Sequence, residues 1–531
     1  MAGFSIEGLS RSRQLPIWTY LGIYTLLAAI ALYPLMIVEI PNLVDYPNHL
    51  ARMYILSHDQ SSAALQRFYE VTWRPIPYIG MDASFLILTQ FTNIYTAGRI
   101  FVGLCVLMPV LSTAVLHFAL YRRLSLVPTS AFLLCYNGVL LWGFLNYLPV
   151  LCLSVMVFAG WIATVTWPNW RRVLVFAPLA LILYLGHLVA FGAYCLLVGS
   201  YEVVRLQNKE LRAWRRILAD WTCAAGQTLP TIILLLQTRV ERPFVGPLET
   251  EYGNITVKMI ALLSPILFLV NRMEIFIGCF FLVVLIIGRI TDRIRISKAF
   301  LQIFIIVGLV SICFPMRLFD VFGMDFRLPL LAAIVLIAGL ETTERSESRF
   351  RYAVILAIIV ATAIRSAAIS TELKSADSQI STLRKIIAEM PRGMRMLTID
   401  TSTGARHLEN NSMNITEHAP LLAIIDRDAF VPTLFTGLGT VKPTYELRAS
   451  STQNGFPYPT LDQFVDGYNN ITNSTEDIPS GIGGRVYWLG WERKFDYVLV
   501  MHYGNRPRTL PKILRLVASS EVADLYAIAG R

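Results

Sequence analysis

Long apolar runs recur through the first two-thirds of this chain, and they decide what it can fold into. A backbone that crosses hydrocarbon must satisfy its own N–H and C=O groups, which leaves helices and closed barrels. A helix needs about 20 mostly apolar residues to cross. The first such run is Trp18–Val38, and others follow as far as residue 369. Read in order, they predict a mostly α, polytopic helical membrane protein of about 11 spans. The expected spans lie near 17–38, 95–120, 127–142, 146–166, 172–186, 188–204, 218–237, 273–289, 299–315, 328–341 and 352–369. Residues 255–271 carry Lys258 and Pro265 and read as a helix lying partly in the interface. Composition agrees: 55% of the residues are hydrophobic and only 15% charged.

Charge placement predicts the orientation. Lys and Arg collect in loops on the cytoplasmic side. Here they collect at Arg11 and Arg13, Arg122-Arg123, Arg171-Arg172, Arg205–Arg216, Arg289–Lys298 and Arg349–Arg351. These loops all fall on one side if the N-terminus is inside and the C-terminus outside. The net charge of +10 sits mostly in them, so it is not a signal for nucleic acid. The first run is too long for a cleaved signal and reads as a signal anchor. All seven cysteines lie in apolar stretches and no CxxC occurs, so neither a metal knuckle nor a disulfide framework is suggested.

Two domains are expected: 1–370 in the membrane, with a large first outer loop over 39–83, and 371–531 as a soluble extracytoplasmic α/β domain. In the second, Met394–Asp400, Arg485–Trp488, Tyr497–His502 and Ala523–Ile528 read as strands. Asp377–Met390, Leu461–Tyr468 and Arg508–Ala518 read as helices.

The stretch Leu43–Arg52 stands just beyond the first span and holds Asp45, His49 and Arg52. Pro47 suits the first turn of a helix, which places His49 and Arg52 on one face with Asp45 at its mouth. Asn146, His187, Lys258, Asp325 and Arg327 fall at the same ends of spans. Ionisable groups near spans are costly and often mark a site. A carboxylate among cations can take a proton from a hydroxyl, and Arg or Lys beside it can hold a phosphate. Each residue also has a plainer reading: Asp45 as a helix cap, His49 and His187 as structural histidines, Arg327 as a snorkelling anchor, Asn146 as a turn residue. His58 and Asp59 beside Asp45 read as a solvated loop rather than as a metal site.

This layout resembles the GT-C superfamily of integral-membrane glycosyltransferases. The matching features are a first span, a large outer loop with an acid directly after it (Val44-Asp45-Tyr46-Pro47-Asn48-His49), many further spans and a soluble C-terminal domain. The resemblance implies transfer of a sugar from a polyprenyl-phosphate donor to an extracytoplasmic glycan, lipid or protein at the inner (plasma) membrane. It implies Asp45 as base; His49 stands beside it, Arg52, Lys258 and Arg327 are candidates for the donor phosphate by charge and position, and His187, Asp325 and Asn146 are further candidates. No cofactor or metal is called for, and a divalent ion stays open. Paired Asp-Glu in the first loop, Trp-Trp-Asp and His-His-Asp, known from other branches, are missing. Two other readings stand beside it: a flippase of lipid-linked glycan, and a non-catalytic assembly factor for envelope polysaccharide. Trp488, Trp491, Tyr487 and Tyr503 are aromatic enough to stack on sugar rings, or to form a core.

Overall fold

The structure is a computed structural model of the whole chain. It describes residues 15–58, 61–206, 214–237, 250–268, 271–318, 321–401, 418–436, 439–452, 458–468, 487–503, 506–507 and 509–530. Of the expected elements, Asp59, Arg485 and most of the loop after residue 237 lie outside them. Among the described residues, six helices are long and apolar enough to cross a membrane: Ile17–Met36, Ile94–Tyr121, Asn169–Gly186, Leu188–Leu206, Arg272–Ile290 and Ser348–Ile387. Shorter apolar helices accompany them, at Ile79–Leu88, Leu148–Ala163, Lys298–Cys313 and Arg327–Ala338.

Helices used below are labelled in chain order: α1 (Ile17–Met36), α2 (Tyr46–His58), α3 (Ile94–Tyr121), α4 (Leu148–Ala163), α5 (Leu188–Leu206), α6 (Arg272–Ile290), α7 (Arg327–Ala338) and α8 (Ser348–Ile387). The bundle is built on α3 against α4, α4 against α5 and α1 against α8.

Two expected spans are broken. The run over 127–142 is a 3-10 stretch, Val127–Leu134, followed by a single turn, Gly138–Leu141. Pro128 enters the first, and Asn137 caps the second by accepting from the Leu140 N–H at 3.1 Å. Such a break frees carbonyls inside the bundle, which protein groups must satisfy. Arg365 of α8 does so: it donates to the carbonyl oxygens of Leu133 and of Tyr136, the latter at 2.9 Å. Its charge is matched by Glu274 of α6 at 3.2 Å, and both side chains are nearly fully buried. The run over 218–237 splits into Trp214–Gly226 and Leu229–Gln237, where Pro230 suits the start of a new helix and cannot extend the old one.

The stretch over 39–83 is more ordered than a loop. It contains α2, a short helix Ala63–Phe68, and a strand, Tyr69–Val71, antiparallel to Val441–Pro443 from the far end of the chain. A further helix, Ile79–Leu88, opens within it. Nine of the 13 residues of α2 are buried, because the bundle covers one side and the C-terminal segment the other.

The C-terminal part is a small sheet domain. Its strands run Leu514–Ser519, Ala523–Ile528, Tyr497–Met501, Met396–Asp400 in space; the last pair is parallel and the others antiparallel. Three strands fall where the apolar runs predict them. The expected helix over 508–518 is instead the strand Leu514–Ser519, folded back by a tight turn onto Ala523–Ile528. Its Leu-Arg-Leu-Val alternation is of strand type. The expected helix over 377–390 is the end of α8, which runs without a break for 40 residues. Trp488, Trp491 and Tyr487 are buried, and Trp491 stacks on Phe464 at 4.3 Å, so they form core rather than a sugar platform.

Removing one partner of a buried ion pair costs about 3–5 kcal/mol, since the other charge is stranded. Arg365→Ala, which also strands two carbonyls, therefore lowers the midpoint of thermal unfolding in detergent, and combining it with Glu274→Gln recovers part of the loss.

Candidate active site

Asp45 is held from two directions by backbone. The Val44 N–H donates to the Leu141 carbonyl at 3.1 Å, and the Asp45 N–H to that of Trp142 at 3.2 Å. The next residue, Gly143, has φ +81°, and a Cβ there would stand 2.6 Å from the Asp45 nitrogen. Only glycine fits both the conformation and the contact. The broken 127–142 run thus ends in a turn shaped to seat Asp45. The Asp45 carboxylate is 16% exposed, and its Oδ1 lies 3.4 Å from Nε2 of His418, which belongs to the C-terminal part.

His49 lies one turn along α2, with its N–H donating to the Asp45 carbonyl at 3.1 Å. Its ring is buried edge-on to Phe435, with centroids 5.8 Å apart. Burial pushes its pKa down to about 4, against a smaller upward pull from Asp45. At neutral pH it is an uncharged imidazole beside the carboxylate.

The three expected phosphate ligands separate. Arg52 is committed: its Nη2 donates to Asp82 at 2.6 Å, and the Thr440 hydroxyl donates to the same oxygen at 2.7 Å. Asp82 is fully buried. The sequence reading missed it because nothing in its spacing pairs it with Arg52. Lys258 is also committed, to Asp325 at 3.2 Å and to the Phe314 carbonyl. Burial raises the Asp325 pKa, and Lys258 opposes the rise. Arg52 and Lys258, both candidates for the donor phosphate, are thus each paired with a buried acid.

Arg327 differs. It is 6% exposed and has no carboxylate within 4 Å among the described residues. Its guanidinium lies over Phe144 at 4.9 Å and Tyr147 at 5.3 Å, and the Tyr147 hydroxyl donates to its carbonyl at 2.9 Å. The Asp45 carboxylate acts on it through space. Its Nη1 stands 3.4 Å from Nε2 of His187. His187 Nδ1 accepts from the Val189 N–H at 3.1 Å, serving the first turn of α5. A ring nitrogen that accepts there leaves a neutral ring's proton on Nε2. In that tautomer Arg327 and His187 turn two donors toward each other, with Tyr78 edge-on to the His187 ring at 4.6 Å. Asn146 lies half-buried in the turn between Phe144 and Tyr147. His58 stacks on Tyr54 at 4.3 Å. No group of three metal-binding side chains occurs among the described residues.

No family model matches the sequence, and no curated protein matches it. In structure, the chain is similar to a crystal structure of ArnT from Cupriavidus metallidurans bound to undecaprenyl phosphate. The TM-score is 0.51 at 12% sequence identity, over 97% of this chain and 99% of that one. The chain shares its overall fold with that protein. Asp45 and His418 lie where the helical bundle meets the C-terminal part.

Two outcomes follow. Gly143→Ala forces φ strain worth about 1–2 kcal/mol and displaces Asp45; thermal unfolding registers the first, and loss of whatever reaction Asp45 supports registers the second. His49 refuses a proton that the unfolded chain accepts near pH 6.5. The stability it contributes is thus complete above pH 6.5 and lost as pH falls toward 4, by up to about 3 kcal/mol. His49→Gln removes that part of the acid sensitivity, read as the difference between wild-type and variant melting curves from pH 7.5 to 4.

Proposed function

We propose that this protein is a membrane glycosyltransferase that moves a sugar from a polyprenyl-phosphate donor to a hydroxyl of an acceptor outside the cytoplasm. The observation that carries this is Arg327. Among the buried cations near Asp45 it alone has no acid beside it in the described structure, and it converges with the His187 N–H. A buried guanidinium without a counter-ion is costly unless an anion joins it. A phosphate oxygen accepts from both donors at once, and a planar guanidinium suits it. The N-terminus of α5, directly after His187, adds its positive end. The fold it shares with a protein whose crystal structure holds undecaprenyl phosphate supports a lipid-linked donor.

Asp45 is the base. It takes the proton of the acceptor hydroxyl as that oxygen forms a bond to the anomeric carbon. The carbon–oxygen bond to phosphate breaks, and its electron pair leaves on the phosphate, whose charge Arg327 and His187 offset. His49, neutral and buried, lines the carboxylate without competing for the proton. The basic loops support an extracytoplasmic site, because they gather away from Asp45 in the order of spans. The same proposal gives 1–370 to the bundle and 371–531 to the C-terminal part, with α8 running through the junction.

Purified protein in lipid, offered a panel of radiolabelled polyprenyl-phosphate sugars, transfers label to an acceptor. Asp45→Asn reduces kcat by about 10²-fold or more while donor binding persists. Arg327→Ala instead weakens donor binding. Donor binding by the wild type without turnover moves the assignment to a flippase or an assembly factor.

A further inference from the structure

The contact between Asp45 and His418 has a partner behind it. Asn48, in the first turn of α2, reaches across to the C-terminal part, and its partners orient its amide. The Phe435 backbone N–H can only donate, so the Asn48 atom that it meets at 2.8 Å is the oxygen, Oδ1. The Thr433 carbonyl can only accept, so the atom 3.0 Å from it is the amide nitrogen, Nδ2. That same nitrogen lies 3.2 Å from Nδ1 of His418. Nδ1 therefore accepts, and the ring carries its proton on Nε2. Nε2 is the atom that faces Asp45 Oδ1 at 3.4 Å, a separation that a shift of a few tenths of an ångström turns into a hydrogen bond. His418 is 1% exposed, with its ring against Phe435 at 5.0 Å, so it has little freedom to take another rotamer.

We propose that His418 is a positioning residue for Asp45, with Asn48 holding it in the tautomer that donates to the carboxylate. The inference rests on the glycosyltransferase reading for its functional meaning, and on the geometry alone for the coupling. The C-terminal domain then supplies part of the active site, and the base is set in place only when that domain is docked on α2. Such contacts commonly tighten once substrate is bound. Among the described residues, the titratable and charged groups that face Asp45 are His49 from α2, Arg327 from α7 and His418 from the C-terminal part. Of these, His418 is the one whose donor is aimed by a second side chain.

The test uses the full chain in lipid, with His418→Ala, His418→Gln and Asp45→Asn, singly and with the first and third combined. Loss of a donor to the ionised carboxylate makes that carboxylate easier to protonate. The acid limb of kcat/KM for sugar transfer therefore moves up by about one pH unit in His418→Ala, with donor KM unchanged. In His418→Gln, whose Nε2 can still donate, the limb returns toward the wild-type position. An acid limb that stays put in His418→Ala overturns the proposal. A stability measurement decides separately from turnover: the losses in Tm of His418→Ala and Asp45→Asn fail to add when combined. If no donor is turned over by the wild type, the glycosyltransferase reading falls while non-additive losses still uphold the coupling. Additive losses overturn it.

Discussion

The burial of α2 is the constraint on which the rest of the site depends. Its sequence, Tyr-Pro-Asn-His-Leu-Ala-Arg, is too polar to enter a core by hydrophobicity, yet most of it is buried. Asn48 and Arg52 need partners there, because an unmatched polar group in a dry interior costs several kcal/mol. Asn48 finds Thr433, Phe435 and His418; Arg52 finds Asp82. These partners come from both sides of the helix. Tyr46 is seated against Gly98 of α3, where any Cβ would stand 2.1 Å from the phenol oxygen. The bundle and the sheet domain are thus joined through one short helix whose polar groups belong to both.

Pairing also gives the interior its selectivity. Arg365 with Glu274, Lys258 with Asp325 and Arg52 with Asp82 are each matched, and none is available to a ligand without leaving an acid behind. Against that background Arg327 stands out by its company of aromatic rings and a second donor. Charge alone did not separate these residues; burial together with neighbours did.

The fold class was legible because apolar run length is a local property, and so were three strands of the C-terminal sheet. The breaks after Leu134 and Gly226 were harder to see. Their cost is met by residues distant in sequence, Arg365 in the first case, and a hydropathy reading cannot weigh a partner that it cannot place. The same applies to the site. Asp45, His49, His187 and Arg327 were visible as uncommon polar groups at span ends. His418 and Asp82 were not, because each gains its meaning from a contact hundreds or tens of residues away. The strand at Leu514–Ser519 was read as a helix because its alternation is brief and its hairpin partner, Ala523–Ile528, had not been set against it.

Helix α8 runs 40 residues without a break, roughly 60 Å at the usual rise. Hydrocarbon takes up about 30 Å of such a rod. The remainder stands beside the sheet domain, where Arg384 grips Asp426 with two hydrogen bonds at 2.8 and 2.9 Å and reaches Glu39 and Tyr95 at 3.0 Å. Asp377 meets the Ile40 N–H at 3.1 Å, two residues before the chain turns into the site. The helix is therefore a measuring rod. It ties Asp45 to the helix bundle by covalent length, so that a thicker or thinner bilayer would tilt the whole molecule rather than move Asp45 relative to the bundle.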